Sequence, residues 1–148
     1  MLVVSLPVLV GVFVYGPFVA DLFLHRRPPA RYVIPAGYVG WVRIEYGAAG
    51  AALLTREGKY LVVRVGPDGT ARTSSELQEG WGRDEFYYES GSGRQRLSNA
   101  GWCKGGMIWG EVTESDAKAG RYQKFFVGNE DRFRMEVDPA GKTYSPCG

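Results

Sequence analysis

Histidine is almost missing from this chain: His25 is the single one. One imidazole outside the downstream domain excludes a Ser-His-Asp or Cys-His arrangement within it. Beside Arg26 and Arg27, His25 reads as an interfacial side chain rather than a general base. Cysteine is nearly as scarce, with only Cys103 and Cys147, so a structural zinc site of four Cys or His ligands cannot be assembled and no metal is expected. Glycine-rich phosphate loops are missing too, because Gly91, Gly93 and Gly105-Gly106 lack the lysine and following helix that such loops need. No cofactor is therefore expected. Three methionines against 21 glycines and nine tyrosines argue against a helical bundle and for turns and strands.

A charge stripe is also lacking. The chain has 18 basic and 16 acidic residues. Asp21 alone precedes residue 25, so the rest carries 18 basic against 15 acidic groups, a net +3. The two signs alternate closely, as in Arg83-Asp84-Glu85 and Glu130-Asp131-Arg132. Nucleic-acid binders gather Lys and Arg on one face, so no nucleic-acid partner is expected.

What is present begins at the N-terminus. Met1 to Ala20 holds no charged side chain, and about twenty helical residues span roughly 30 Å, the hydrocarbon thickness of a bilayer. Asp21 interrupts the run, Leu22-Phe23-Leu24 continues it, and His25 to Pro29 ends it with charge and two helix breakers. Pro7 and Pro17 would be costly in a soluble helix but are tolerated in membrane spans. No basic residue precedes the run and Phe18-Val19-Ala20 is a poor cleavage site, which favours an uncleaved anchor over a signal peptide. No cysteine follows for lipid attachment. Residues 1–27 are read as anchor and basic flank, with residues 1–24 in contact with the membrane, and 28–148 as one β-rich domain. Arg26, Arg27 and Arg31 after the span favour a cytoplasmic domain by the positive-inside rule. Two cysteines in a turn-rich β pattern favour the extracytoplasmic side. The extracytoplasmic reading is preferred, periplasmic or at the cell surface, with the cytoplasmic one left open.

Along the domain, alternation and turn residues place strands at Arg31–Ile34, Val39–Tyr46, Lys59–Val65, Thr70–Ser74, Asp84–Glu89, Arg94–Leu97, Met107–Val112 and Tyr122–Val127. Val42, Ile44 and Tyr46 share a buried face. Pro67-Asp68-Gly69 and Ser90 to Gly93 are turns, and Ala51 to Thr55 is a linker. Asn129 caps a helical turn to Phe133, and Met135 to Val137 is a last edge strand. No amphipathic helix of 10–15 residues offers a crossover between parallel strands, so an all-β, antiparallel β-sandwich follows, with a small barrel as the alternative.

Tryptophan is the unusual feature. Trp41 and Trp109 fall in strands and read as core. Trp81 and Trp102 stand in glycine-bracketed loops, where they either fold back over a sheet end or grip a ligand. In the second case Trp81, Trp102, Tyr87 and Tyr88 would stack on sugar faces while Arg83 or Asp84 holds hydroxyls. Asp84-Glu85, Asp116 and Glu130-Asp131 are the carboxylates a hydrolase would need. Adjacent acids on a strand point to opposite faces, however, and no catalytic pair is specified.

The blocks IPAGYVGWVRIEYG, REGKYLVVRVGPDGTARTSS, GWGRDEFYY, GGMIWG and FFVGNED, in that order, resemble the bacterial domain-of-unknown-function family 6843 over residues 31–131. Members often carry an N-terminal membrane segment or signal. The linker at Ala51–Thr55 is less proline-rich than the family pattern, and the tail after Arg132 lies outside it. The resemblance implies no activity and transfers no catalytic residue. The expectation is thus a non-catalytic, membrane-tethered interaction module with a protein partner. The alternative is a domain binding cell-wall glycan or another small ligand through its loop aromatics, and a carboxylate hydrolase comes last. Cys103 and Cys147 are either a disulfide or two unrelated thiols. An exported domain favours the bridge.

Overall fold

The computed structural model describes residues 26–117, 120–141 and 147. The expected membrane segment and His25 lie outside them. Among the described residues no helix is long and apolar enough to cross a membrane.

Among the described residues, nine strands and one helix follow in order: β1 (Ala30–Pro35), β2 (Gly40–Glu45), β3 (Thr55–Glu57), β4 (Tyr60–Arg64), β5 (Thr70–Arg72), β6 (Glu85–Ser90), β7 (Gly93–Leu97), β8 (Ile108–Asp116), β9 (Gly120–Val127) and α1 (Glu130–Val137). They form a five-stranded sheet, β3-β4-β1-β6-β7, and a four-stranded sheet, β5-β2-β9-β8. Alternation along the strands explains why the sheets face each other. Tyr32 and Ile34 of β1, Val63 of β4 and Phe86 of β6 meet Val42 and Ile44 of β2 and Phe125 and Val127 of β9 in one buried cluster. Tyr32 stacks on Phe86 at 4.8 Å, and Phe125 stands edge-on to both at 5.3 and 5.2 Å, joining the two layers. No barrel closes.

The antiparallel expectation is corrected. β1 runs parallel to both β4 and β6, and β2 runs parallel to β5. Only the hairpins β3–β4, β6–β7 and β8–β9 and the β2–β9 pair are antiparallel. A parallel pair needs a long return connection, which the sequence reading equated with a helix. Here the return is a strand of the opposite sheet: β2 lies between β1 and the β3–β4 hairpin, and β5 between β4 and β6.

Two local expectations also change. Met135 to Val137 is not an edge strand but the second turn of α1. Apolar residues at 133, 135 and 137 imitate strand alternation, yet only Phe133 is buried, with Met135 and Val137 more than half exposed. The Asn129 side chain accepts from Arg132 N at 3.0 Å, and Glu130 and Asp131 occupy the first turn, which favours the helix. The linker ends in a short strand, β3, whose polar residues gave no strand signal.

Each sheet has a distinct outer face. On the five-stranded sheet, Arg31 reaches Glu57 and Glu85 at 3.0 Å each, and Arg94 takes Glu57 through two bonds of 2.6 and 2.9 Å. These bonds, Arg94 first and Arg31 next, hold the Glu57 carboxyl down at about 2. The four-stranded sheet carries Trp41, Trp109 and Phe126, covered by Phe133 of α1. Trp41 and Trp109 therefore pack outside the sheet rather than between the layers. A bulge between Trp109 and Val112 admits this contact. Gly110 sits there at φ 59, and a Cβ on it would meet Phe133 at 3.4 Å and Trp41 at 3.5 Å.

Candidate functional site

Because β1, β4 and β6 run in the same direction, their starts collect at one end of the domain, bringing Arg26 to Pro29, Lys59 and Trp81 to Asp84 together. The dominant interaction there is a clamp. Arg27 Nη1 and Nη2 donate to the two carboxylate oxygens of Asp84 at 2.9 and 2.6 Å, and Ala30 N donates to Asp84 at 2.8 Å. Arg27 Nε reaches Gly80 O at 3.1 Å and its backbone N reaches Trp81 O at 3.0 Å. The side chains of Arg27 and Asp84 are only 17% and 8% exposed. The Asp84 carboxylate raises the Arg27 pKa further. Gly82 leaves room for the guanidinium, since a Cβ there would lie 2.7 Å from Arg27 Nη1. Arg27 is thus a structural residue of the domain.

Beside the clamp a cavity of about 310 Å³ opens between the sheets. Its floor is a polar relay. The hydroxyls of Tyr32 and Tyr46 donate to Gln123 Oε1 at 2.8 and 3.1 Å, and Gln123 Nε2 donates to Glu111 Oε1 at 2.6 Å. An Arg121–Glu79 ion pair stands among its lining residues. Burial pushes the Tyr46 hydroxyl up to about 12 and Tyr32 well above its ordinary value, so both remain donors at physiological pH. Solvent reaches Glu111 through the opening, but the protein packed around its carboxyl raises its pKa, and the nearby Asp84 charge adds to the rise.

That upward shift has a defined consequence for stability. The native state favours protonated Glu111, so its stabilising effect is full below the unfolded carboxyl range and lost as pH rises through the raised native value. Glu57 acts oppositely, its contribution being present above about 4.5 and lost as pH falls toward about 2. Glu111→Gln is expected to raise the melting temperature near neutral pH and to leave it unchanged at the acid end. Calorimetry from pH 7 to pH 4 reads this directly (an equal shift at both ends would refute it).

The six residues expected to bind a ligand, four by stacking and Arg83 and Asp84 by holding hydroxyls, are divided. Trp81 and Arg83 share the strand-start end, whereas Asp84 is engaged by Arg27. Tyr87 lies on the outer face of the five-stranded sheet, its hydroxyl donating to Glu85 at 3.1 Å. Tyr88 turns inward and donates to Tyr38 O at 2.5 Å. Trp102 lies over Trp109 and Phe133 at 4.8 and 5.9 Å, folded back on the aromatic cluster. Asp84 and Glu85 diverge as strand parity requires, Glu85 binding Arg31, Tyr60 and Tyr87 outside the sheet. Glu130 and Asp131 sit in the first turn of α1, and Asp116 ends β8.

Cys103 and Cys147 are joined by a disulfide, with Cα atoms 5.6 Å apart. Glu130 flanks it, accepting from Cys103 N at 2.7 Å. Cys103, Glu130 and Cys147 cluster closely enough to suggest ligands. With both sulfurs in the bond, the cluster offers a cation one carboxylate. Sequence reasoning missed the relay and the clamp. A glutamine in phase with Phe125 and Val127 on β9 was the available signal for Gln123, while nothing local pairs Arg27 with Asp84.

Together these features define a two-sheet, mixed β-sandwich with a polar cavity and a charge clamp at one end. The family model described as a family of unknown function (DUF6843) matches residues 26–135, and the chain belongs to that family. The match begins at Arg26, so it takes in the clamp. A crystal structure described as a "Putative Lipoprotein from Bacillus anthracis" shares the fold at a TM-score of 0.58 and 20% identity, over 80% of this chain and 82% of that one. No curated protein matches the sequence.

Proposed function

We propose that this protein is a non-catalytic, exported interaction module, tethered to a membrane by residues 1–24 and presenting its β-sandwich to a protein partner outside the cytoplasm. The observation that carries the reading is the Cys103–Cys147 bond, because disulfides persist in oxidising compartments and are rare in the cytosol. The fold shared with a structure described as a "Putative Lipoprotein" agrees with a membrane-held domain. Tethering raises the local concentration of the domain, so a modest interface suffices for partner capture. Thiol titration of denatured, unreduced protein taken from native membranes tests it. The expected result is no free thiol in the membrane fraction, and two free thiols would reject export.

The end cavity favours a second reading, a small polar ligand with an ammonium or other donor group directed at Glu111. The tyrosine–glutamine relay fixes one oxygen of that carboxylate through Gln123 Nε2. Amine-bearing cell-wall fragments are expected to raise the melting temperature of the wild type but not of Glu111→Gln. Equal shifts in both proteins, or none in either, would dismiss this reading.

A further inference from the structure

We infer that the strand-start end, through Trp81, Arg26, Lys59 and Arg83, docks on the anionic surface of the bilayer beside the tether, fixing the orientation of the sandwich. This rests on the tethered reading above and adds a lipid-facing surface to it. Trp81 is 75% exposed, the most exposed large hydrophobic side chain among the described residues. Its backbone is nonetheless held by Arg27 N at 3.0 Å and by a bridge to Arg26. A shallow hollow of about 620 Å³ around it is lined, among the described residues, by Arg26, Arg27, Pro29, Lys59 and Arg83 and by no acidic one. In a chain with nearly balanced charge, that asymmetry is marked.

The covalent geometry places this face at the membrane. The apolar run ends at Leu24 and Arg27 is already locked into the domain. Three residues span at most about 10 Å. Trp81, bonded to Arg27, therefore cannot lie far from the headgroups. Tryptophan prefers that layer, where its ring is half-buried and its N–H stays wet. Arg26, Lys59 and Arg83 add attraction to anionic lipid that fades within a Debye length. A protein surface as the occupant would lack this enforced proximity.

The test uses the full chain in vesicles of phosphatidylcholine, with and without phosphatidylglycerol, carrying lipids brominated near the headgroup. Wild-type tryptophan emission should be quenched, more strongly with phosphatidylglycerol and less at high salt. Trp81→Phe should lose most of the quenching, and Trp102→Phe should keep it. Lys59→Glu/Arg83→Glu should lose the phosphatidylglycerol dependence while Trp81 remains. Flotation of the same vesicles separates the two ideas. A chain that floats but is quenched equally with and without Trp81, or not at all, overturns docking and leaves the tether standing. A chain that does not float overturns both.

Discussion

Reduction of the Cys103–Cys147 bond is expected to lower the melting temperature by on the order of 10 to 20 °C. The bond closes 44 residues of chain, and the chain-entropy model assigns such a loop about 4 kcal/mol of stability. A domain of this size has a total stability of only about 5–15 kcal/mol, and each kcal/mol moves its midpoint by a few degrees. The local consequences follow from what the bond holds. Cys147 is pinned beside α1, with its sulfur 3.1 Å from Glu130 Oε1, and the loop carrying Trp102 is pinned against Trp109 and Phe133. Loss of the bond releases Cys147 and this loop together. Circular dichroism melts with and without a thiol reductant, repeated on Cys103→Ser/Cys147→Ser, measure the effect. A reduced protein that melts with the oxidised one would show that the bond adds nothing to the fold.

Asp84→Ala is expected to cost about 3–5 kcal/mol, as the breaking of a buried ion pair does elsewhere. The substitution leaves the Arg27 guanidinium largely buried without its carboxylate and takes the acceptor from Ala30 N. Arg27→Met/Asp84→Leu should recover most of that loss, because the penalty comes from the orphaned charge more than from the missing attraction. Urea unfolding of the two variants separates these contributions. If the single and double variants are equally unstable, packing around Gly82 rather than charge compensation holds this end together.

Much of the architecture was legible locally. Alternation at Val42, Ile44 and Tyr46 located β2 and its buried face, because side-chain direction repeats every two residues wherever the chain is extended. Ser90 to Gly93 located the β6–β7 hairpin, because turn residues act through their own backbone. Helix α1 was half-read: the Asn129 cap is a local signal, but the choice between strand and helix after Phe133 depended on the aromatic face it packs against. The five sequence blocks were likewise enough to indicate the family, which the match over residues 26–135 shows.

The sequence by itself determined every strand but β3, the β6–β7 turn, the scarcity of catalytic donors, and the apolar start of the chain, since each follows from nearest-neighbour chemistry. Only the tertiary structure decided strand direction, the place of each tryptophan and the composition of the end site. Parallel β1, β4 and β6 bring Arg27 beside Asp84, 57 positions away. The facing sheets bring Tyr32 to Gln123, 91 positions away. Contacts of that separation arise from how two layers share one core, and no periodicity or turn residue encodes which distant partner a buried charge or amide will meet.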